Sequence, residues 1–141
     1  MKFSQSIIGL CMLLQSCSIQ VEKINIGKDQ CHFCKMTIAD ARYGGAILTK
    51  KGKTYKFDDL YCLQSYVKED LIEPKEIKQV FVQNYNASNE LLDINLAYII
   101  ENASINGPMN GHWAAFSTKE VAKTMTPELI GKVVSEKQIL K

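Results

Sequence analysis

The order strand, strand, helix, strand occurs twice along this chain, and it restricts the fold more than any other feature. In the first pass, Ala46-Ile47-Leu48-Thr49 and Lys53-Thr54-Tyr55-Lys56-Phe57 read as strands, with Lys51-Gly52 turning a hairpin between them. Asp58 or Asp59 stands where a helix N-cap belongs, and Leu60, Leu63 and Val67 recur at helical spacing. That helix should end near Glu69-Asp70, before Pro74, and Val80-Phe81-Val82 supplies a further strand. The second pass runs Leu96 to Ile100, then His112 to Phe116, then a helix carrying Val121, Ala122 and Met125, then Lys132 to Ser135. Ser117-Thr118-Lys119-Glu120 reads as a capping box, with Ser117 capping the amide of Glu120. Phe57-Asp58-Asp59 and Phe116-Ser117-Thr118 each place an aromatic strand end directly before a cap. The pattern predicts an α+β fold: two ββαβ units, residues 31–90 and 91–141, packed in one small module.

The N-terminus speaks to compartment. Met1-Lys2 is a positive start, Ile7 to Leu14 an apolar stretch too short to span a bilayer, and Leu14-Gln15-Ser16-Cys17 a lipobox-like processing site. Residues 1–16 therefore read as a signal peptide and Cys17 as the lipidated first residue of the mature protein, with 17–30 a polar tether. The chain holds 17 basic and 15 acidic residues. Losing 1–16 removes only Lys2, which leaves 16 against 15. Arg42 is the sole arginine and no lysine cluster is interleaved with aromatics, so nucleic-acid binding has no support.

Cys31-His32-Phe33-Cys34-Lys35-Met36 concentrates two thiols, an imidazole and a thioether in six residues. Thiolate and thioether together favour Cu(I), whereas structural zinc takes Cys and His and seldom Met. If the stretch is extended, Cys34, Met36 and Ile38 project to one face, and Cys31 joins them only through a turn at His32-Phe33. A Cys31–Cys34 disulfide, or a thiol oxidoreductase built on that pair, is the alternative in an oxidising envelope. With Cys17 acylated, three mature thiols remain (Cys31, Cys34 and Cys62), an odd number that argues against a pure disulfide framework.

A second soft group lies in Pro108-Met109-Asn110-Gly111-His112, a loop bracketed by Asn-Gly turn dipeptides. Met109 and His112 suit metal capture there, or else Met109 is a lid on the core and His112 the start of a strand. Cys62 flanks the apolar stripe of the first helix, where a buried inert thiol is the commoner fate and a third thiol ligand the alternative. A zinc site of Cys31, Cys34, Cys62 and one His stays open on these residues. Nucleophile elbows, phosphate loops and catalytic acid pairs are missing from the sequence, and it points to binding rather than catalysis.

The lipobox, the Cys-x-x-Cys-x-Met-x-Ile run, the Phe-Asp-Asp helix start and the Pro-Met-x-x-His loop together resemble the NosL lipoproteins, accessory proteins of nitrous oxide reductase, from Cys31 to about Ser135. The resemblance implies a periplasmic, lipid-anchored copper chaperone that carries Cu(I) toward the copper-sulfide centre of that reductase, with the reductase or its assembly factors as partners. It also implies two ββαβ units. The family's motif falls on Cys34 and Met36, with Cys31 matched less uniformly, and its Pro-Met loop on Met109 and His112. The expected metal set is therefore Cys34, Met36, Met109, His112 and Cys31, with Cys17 lipidated.

Overall fold

The computed structural model describes residues 18–86, 89–127 and 131–141. The expected signal peptide and Cys17 lie outside these residues. The first half holds β1 (Gly45–Thr49), β2 (Thr54–Phe57), helix α1 (Leu60–Lys68), a 3-10 turn (Pro74–Glu76), β3 (Ile77–Gln83) and β4 (Leu91–Asp93). The second holds β5 (Tyr98–Glu101), β6 (Trp113–Phe116), helix α2 (Lys119–Met125), β7 (Lys132–Val134) and helix α3 (Glu136–Ile139). Two antiparallel sheets result, in the orders β2-β1-β3-β4 and β6-β5-β7. The α+β reading of strand, strand, helix, strand in each half is what the chain forms.

The sheets join through a parallel bridge between Asn84 and Ala115, where the Tyr85 amide donates to the Ala115 carbonyl at 2.7 Å. One apolar core runs across both halves: Ile47, Phe57, Leu60, Leu63 and Val82 pack with Ile99, Ala115, Val134 and Ile139. Helix α3, which the pattern did not predict, closes this core with Ile139, and the Gln64 side chain on α1 donates to the Gln138 carbonyl at 3.4 Å. Helix α1 is thus buried on two sides, along Leu60, Cys62, Leu63, Gln64, Ser65 and Tyr66. A single apolar stripe understates that burial.

Three details depart from expectation. Ile24 is fully buried in the core, and the Gly27 amide donates to the Ile38 carbonyl at 2.8 Å, so the segment expected to be a tether through residue 30 is partly built into the module. Leu96 is 79% exposed in a turn stitched to the Asp93 carbonyl, and its strand starts at Tyr98. The N-cap of α2 is Thr118, whose hydroxyl accepts from the Val121 amide at 3.2 Å, one residue later than the capping box through Ser117 placed it. Among the described residues, no helix is long and apolar enough to cross a membrane.

Candidate metal site

The cysteine hexapeptide folds as a tight loop rather than an extended strand. An antiparallel bridge pairs Gln30 with Thr37, the Cys31 amide donates to the Met36 carbonyl at 2.9 Å, and the Lys35 amide donates to the Cys31 carbonyl at 3.0 Å. Lys35 closes the turn with φ +65°, a left-handed conformation, while its ammonium donates to the His32 carbonyl at 2.6 Å. The turn carries Cys34 back over Cys31. Met36 is then 49% exposed while Ile38 is fully buried, so these two do not share a face.

Helix α1 brings the third thiol. Sγ atoms of Cys31, Cys34 and Cys62 all lie within 4.8 Å of one another, and no histidine or carboxylate atom belongs to that group among the described residues. Cys31 and Cys62 are fully buried, Cys34 is half-buried, and all three are free thiols. Three sulfurs bound to one ion at about 2.3 Å in a plane stand about 4 Å apart, so closure onto a metal asks for shifts below roughly 1 Å.

The electrostatics are those of one thiolate shared by two thiols. Hydrogen bonding from the Cys62 thiol, helped by the backbone amides of Asp58, Cys34 and Phe33, pulls Cys31 down to about 5 against the opposing effect of burial. Cys62 is pushed up by its hydrogen bond to Cys31 and then by burial, and Cys34 is pushed up mainly by burial. Asp58 stands beside them, 2% exposed, with one carboxylate oxygen unpartnered. Burial and then the Cys31 charge raise its carboxyl to about 6.

Both histidines engage backbone through Nδ1. Nδ1 of His32 lies 3.0 Å from the Lys56 amide and 3.2 Å from the Lys56 carbonyl, and the ring stands outside the thiol group. Nδ1 of His112 lies 2.7 Å from the Ile105 carbonyl, which fixes its proton there and frees Nε2. His112 nonetheless stands outside the thiol group. Met109 is half-buried and, like Cys34, packs against the core cluster that holds Cys31 and Cys62.

Asp59 ties the Met109 loop to this centre. Its Oδ1 caps α1 by accepting the Tyr61 amide at 2.9 Å, and its Oδ2 accepts the amides of Met109 at 3.0 Å and Gly111 at 3.1 Å. Gly107 and Gly111 are needed for that approach, since a Cβ at either would stand 2.3 Å or less from an Asp59 carboxylate oxygen. A Cys-bearing turn, a Cys-bearing helix and a Met-bearing loop therefore meet around the start of α1.

The family model for NosL matches residues 23–141. The chain belongs to the NosL family. A crystal structure of the copper chaperone NosL from Shewanella denitrificans superposes with a TM-score of 0.69 at 22% identity, covering 86% of this chain and 96% of that one. That likeness fixes the fold. No curated protein matches the chain. The family match begins at residue 23, beside the buried Ile24.

The sequence singled out Cys31 and Cys34, and the turn brings them together. It set Cys62 aside as a flanking helix residue, yet Cys62 completes the sulfur triangle. The available signal was arithmetic: three thiols left over in an oxidising setting call for one shared use. Met36 lies at the surface and Met109 against the core.

Proposed function

We propose that this NosL-family protein is an envelope lipoprotein, anchored through Cys17 and facing the periplasm, that carries Cu(I) to the machinery assembling the copper-sulfide centre of nitrous oxide reductase. The observation that carries the copper reading is the triangle of three sulfurs within 4.8 Å, with no histidine or carboxylate among them. Cu(I) accepts three thiolates in a plane, whereas structural zinc asks for four ligands. The similar Shewanella structure is that of a copper chaperone, which agrees with this cargo.

The geometry supports a carrier working by ligand exchange, without catalysis or change of oxidation state. Cys31 is the pre-formed thiolate that first attracts the cation, and capture displaces protons from Cys34 and Cys62. Sulfur exposure rises from buried Cys31 and Cys62 through half-buried Cys34 to exposed Met36. Copper then leaves past Cys34 and Met36, where a partner's ligands reach it. Met109 and His112, the latter with Nε2 free, join if their loop shifts inward.

Competition for Cu(I) against a strong chelator tests this under reducing conditions. Wild type should bind one equivalent, and C31S, C34S and C62S should each lose about 100-fold in affinity, roughly 3 kcal/mol. Unchanged affinity in C62S removes the sulfur triangle. Tight zinc with negligible copper turns the site into a structural zinc centre. A Cys31/Cys34 dithiol that reduces a test disulfide in turnover, itself becoming the disulfide, with no stoichiometric copper, makes the protein an oxidoreductase.

A further inference from the structure

We propose that the tip of the β1–β2 hairpin is a membrane-facing surface, resting on anionic lipid headgroups and holding the thiol site away from the bilayer. The proposal builds on the anchor at Cys17 and adds an orientation to it. Ile19 lies on this tip: a Cβ on Gly52 would stand 3.4 Å from its side chain, and the Lys78 ammonium donates to its carbonyl at 3.3 Å. Cys17 precedes Ile19 by two residues, which span at most about 7 Å. An acyl chain on Cys17 therefore leaves the protein beside the tip.

The tip is basic. Lys50, Lys51, Lys53 and Lys75 line a depression of about 480 Å³ together with Glu76, and Lys78 lies close by through Ile19. All five ammonium-bearing residues are exposed. Their acidic neighbours in the same segment are Glu76 and Glu73, and Glu73 is already held by Lys75 at 2.6 Å. Cations beside a lipid anchor add electrostatic attraction to a negative leaflet, and two such signals fix a protein where one holds it loosely. Ile19, 42% exposed, adds an apolar contact at the same place.

The hairpin sets the distance to the metal site. Leu48 pairs with Thr54 at the tip end and Gly45 with Phe57 at the other. Cys31 meets the Asp58 amide and His32 meets Lys56, so the thiols lie toward the Phe57 end, roughly 10 Å further along β2. A tip seated on headgroups presents Cys34 and Met36 to soluble partners.

The full chain, recovered from cells in detergent, is mixed into vesicles of phosphatidylcholine alone or of equal parts phosphatidylglycerol and phosphatidylcholine. Lysines are then pulse-labelled with an amine-reactive ester and read by mass spectrometry. Labelling of Lys50, Lys51, Lys53 and Lys78 should slow by about threefold or more on the anionic vesicles, while Lys119 and Lys123 on α2 label equally on both. The contrast should fade in about 0.5 M NaCl, and should vanish at Lys78 in the triple variant K50E/K51E/K53E, whose Cu(I) affinity stays that of wild type. Equal labelling on both vesicle types overturns the proposal, as does the same protection from inorganic phosphate over neutral vesicles, which marks a small-anion site. Flotation reports the anchor separately: protein that floats with neither vesicle defeats acylation at Cys17, whereas protection on anionic vesicles in C17S upholds the surface without it.

Discussion

Asp59 holds the backbone of Met109, its Oδ2 accepting the Met109 amide at 3.0 Å while its Oδ1 caps α1 through Tyr61. One buried carboxylate thus positions both the helix that carries Cys62 and the loop that carries Met109. Replacing it with alanine strips a cap and leaves two loop amides unpaired. D59A should lose about 2–4 kcal/mol in urea unfolding, and D59N about half as much, because an oxygen remains to accept. A D59A protein as stable as wild type contradicts this arrangement.

Ile24 lies in the core, seven residues upstream of Cys31, and makes the segment before the cysteine turn structural. Truncation to alanine leaves a cavity and should cost about 2–5 kcal/mol. Deleting everything before residue 31 should cost more, since the Gly27 to Ile38 hydrogen bond and the Asp29 to Lys56 ion pair at 2.7 Å go as well. Thermal melts of the two variants check this ranking; a variant starting at residue 31 that melts with wild type would return the segment to a tether.

Asp40 gives a pH dependence with a defined sign. Hydrogen bonds from Arg42, the closest at 2.6 Å, hold its carboxyl below the ordinary value of 3.8 despite partial burial. The folded state therefore takes up this proton less readily than the unfolded chain. The contribution is fully present above about pH 4 and is lost as pH falls through the lower folded value. Both partners are partly exposed, so D40N should cost about 0.5–1 kcal/mol near neutral pH and less near pH 2. Urea midpoints at the two pH values measure the difference, and an equal loss at both removes the ion pair as the cause.

Met36 and Cys62 should separate affinity from exchange. Met36 is half exposed at the surface, two residues beyond Cys34, whereas Cys62 is sealed in the core. M36L should keep Cu(I) affinity within about threefold and slow transfer to an external acceptor about tenfold, while C62S weakens affinity and speeds release. Stopped-flow transfer to a coloured Cu(I) chelator reads both. Equal transfer rates for M36L and wild type remove the exit path past Met36.

The legible part of this fold was its periodicity. The apolar run before the Lys51-Gly52 turn, the strand-like residues after it, the Asp59 cap and the Leu60/Leu63 spacing placed β1, β2 and α1 within a residue or so. Less visible was anything set by packing between distant segments. Ile24 and Ile139 lie in short runs whose only reason to be ordered is the core they enter, so neither stretch has a pattern of its own. The same holds at the site. Cys31 and Cys34 are close because Lys35 takes a left-handed turn, which a Lys does not advertise. Cys62 looked peripheral because one apolar stripe defines one buried face, and α1 has two. Asp59 read as a cap, and its second oxygen, which fastens the Met109 loop, depends on a chain crossing some fifty residues away.

Copper K-edge X-ray absorption of the anaerobically loaded protein addresses the sulfur triangle most directly. The account predicts one copper in the monovalent state with three sulfur neighbours at about 2.3 Å, falling to two in C62S. A spectrum with a single thiolate sulfur alongside imidazole nitrogen, unchanged in C62S, contradicts it.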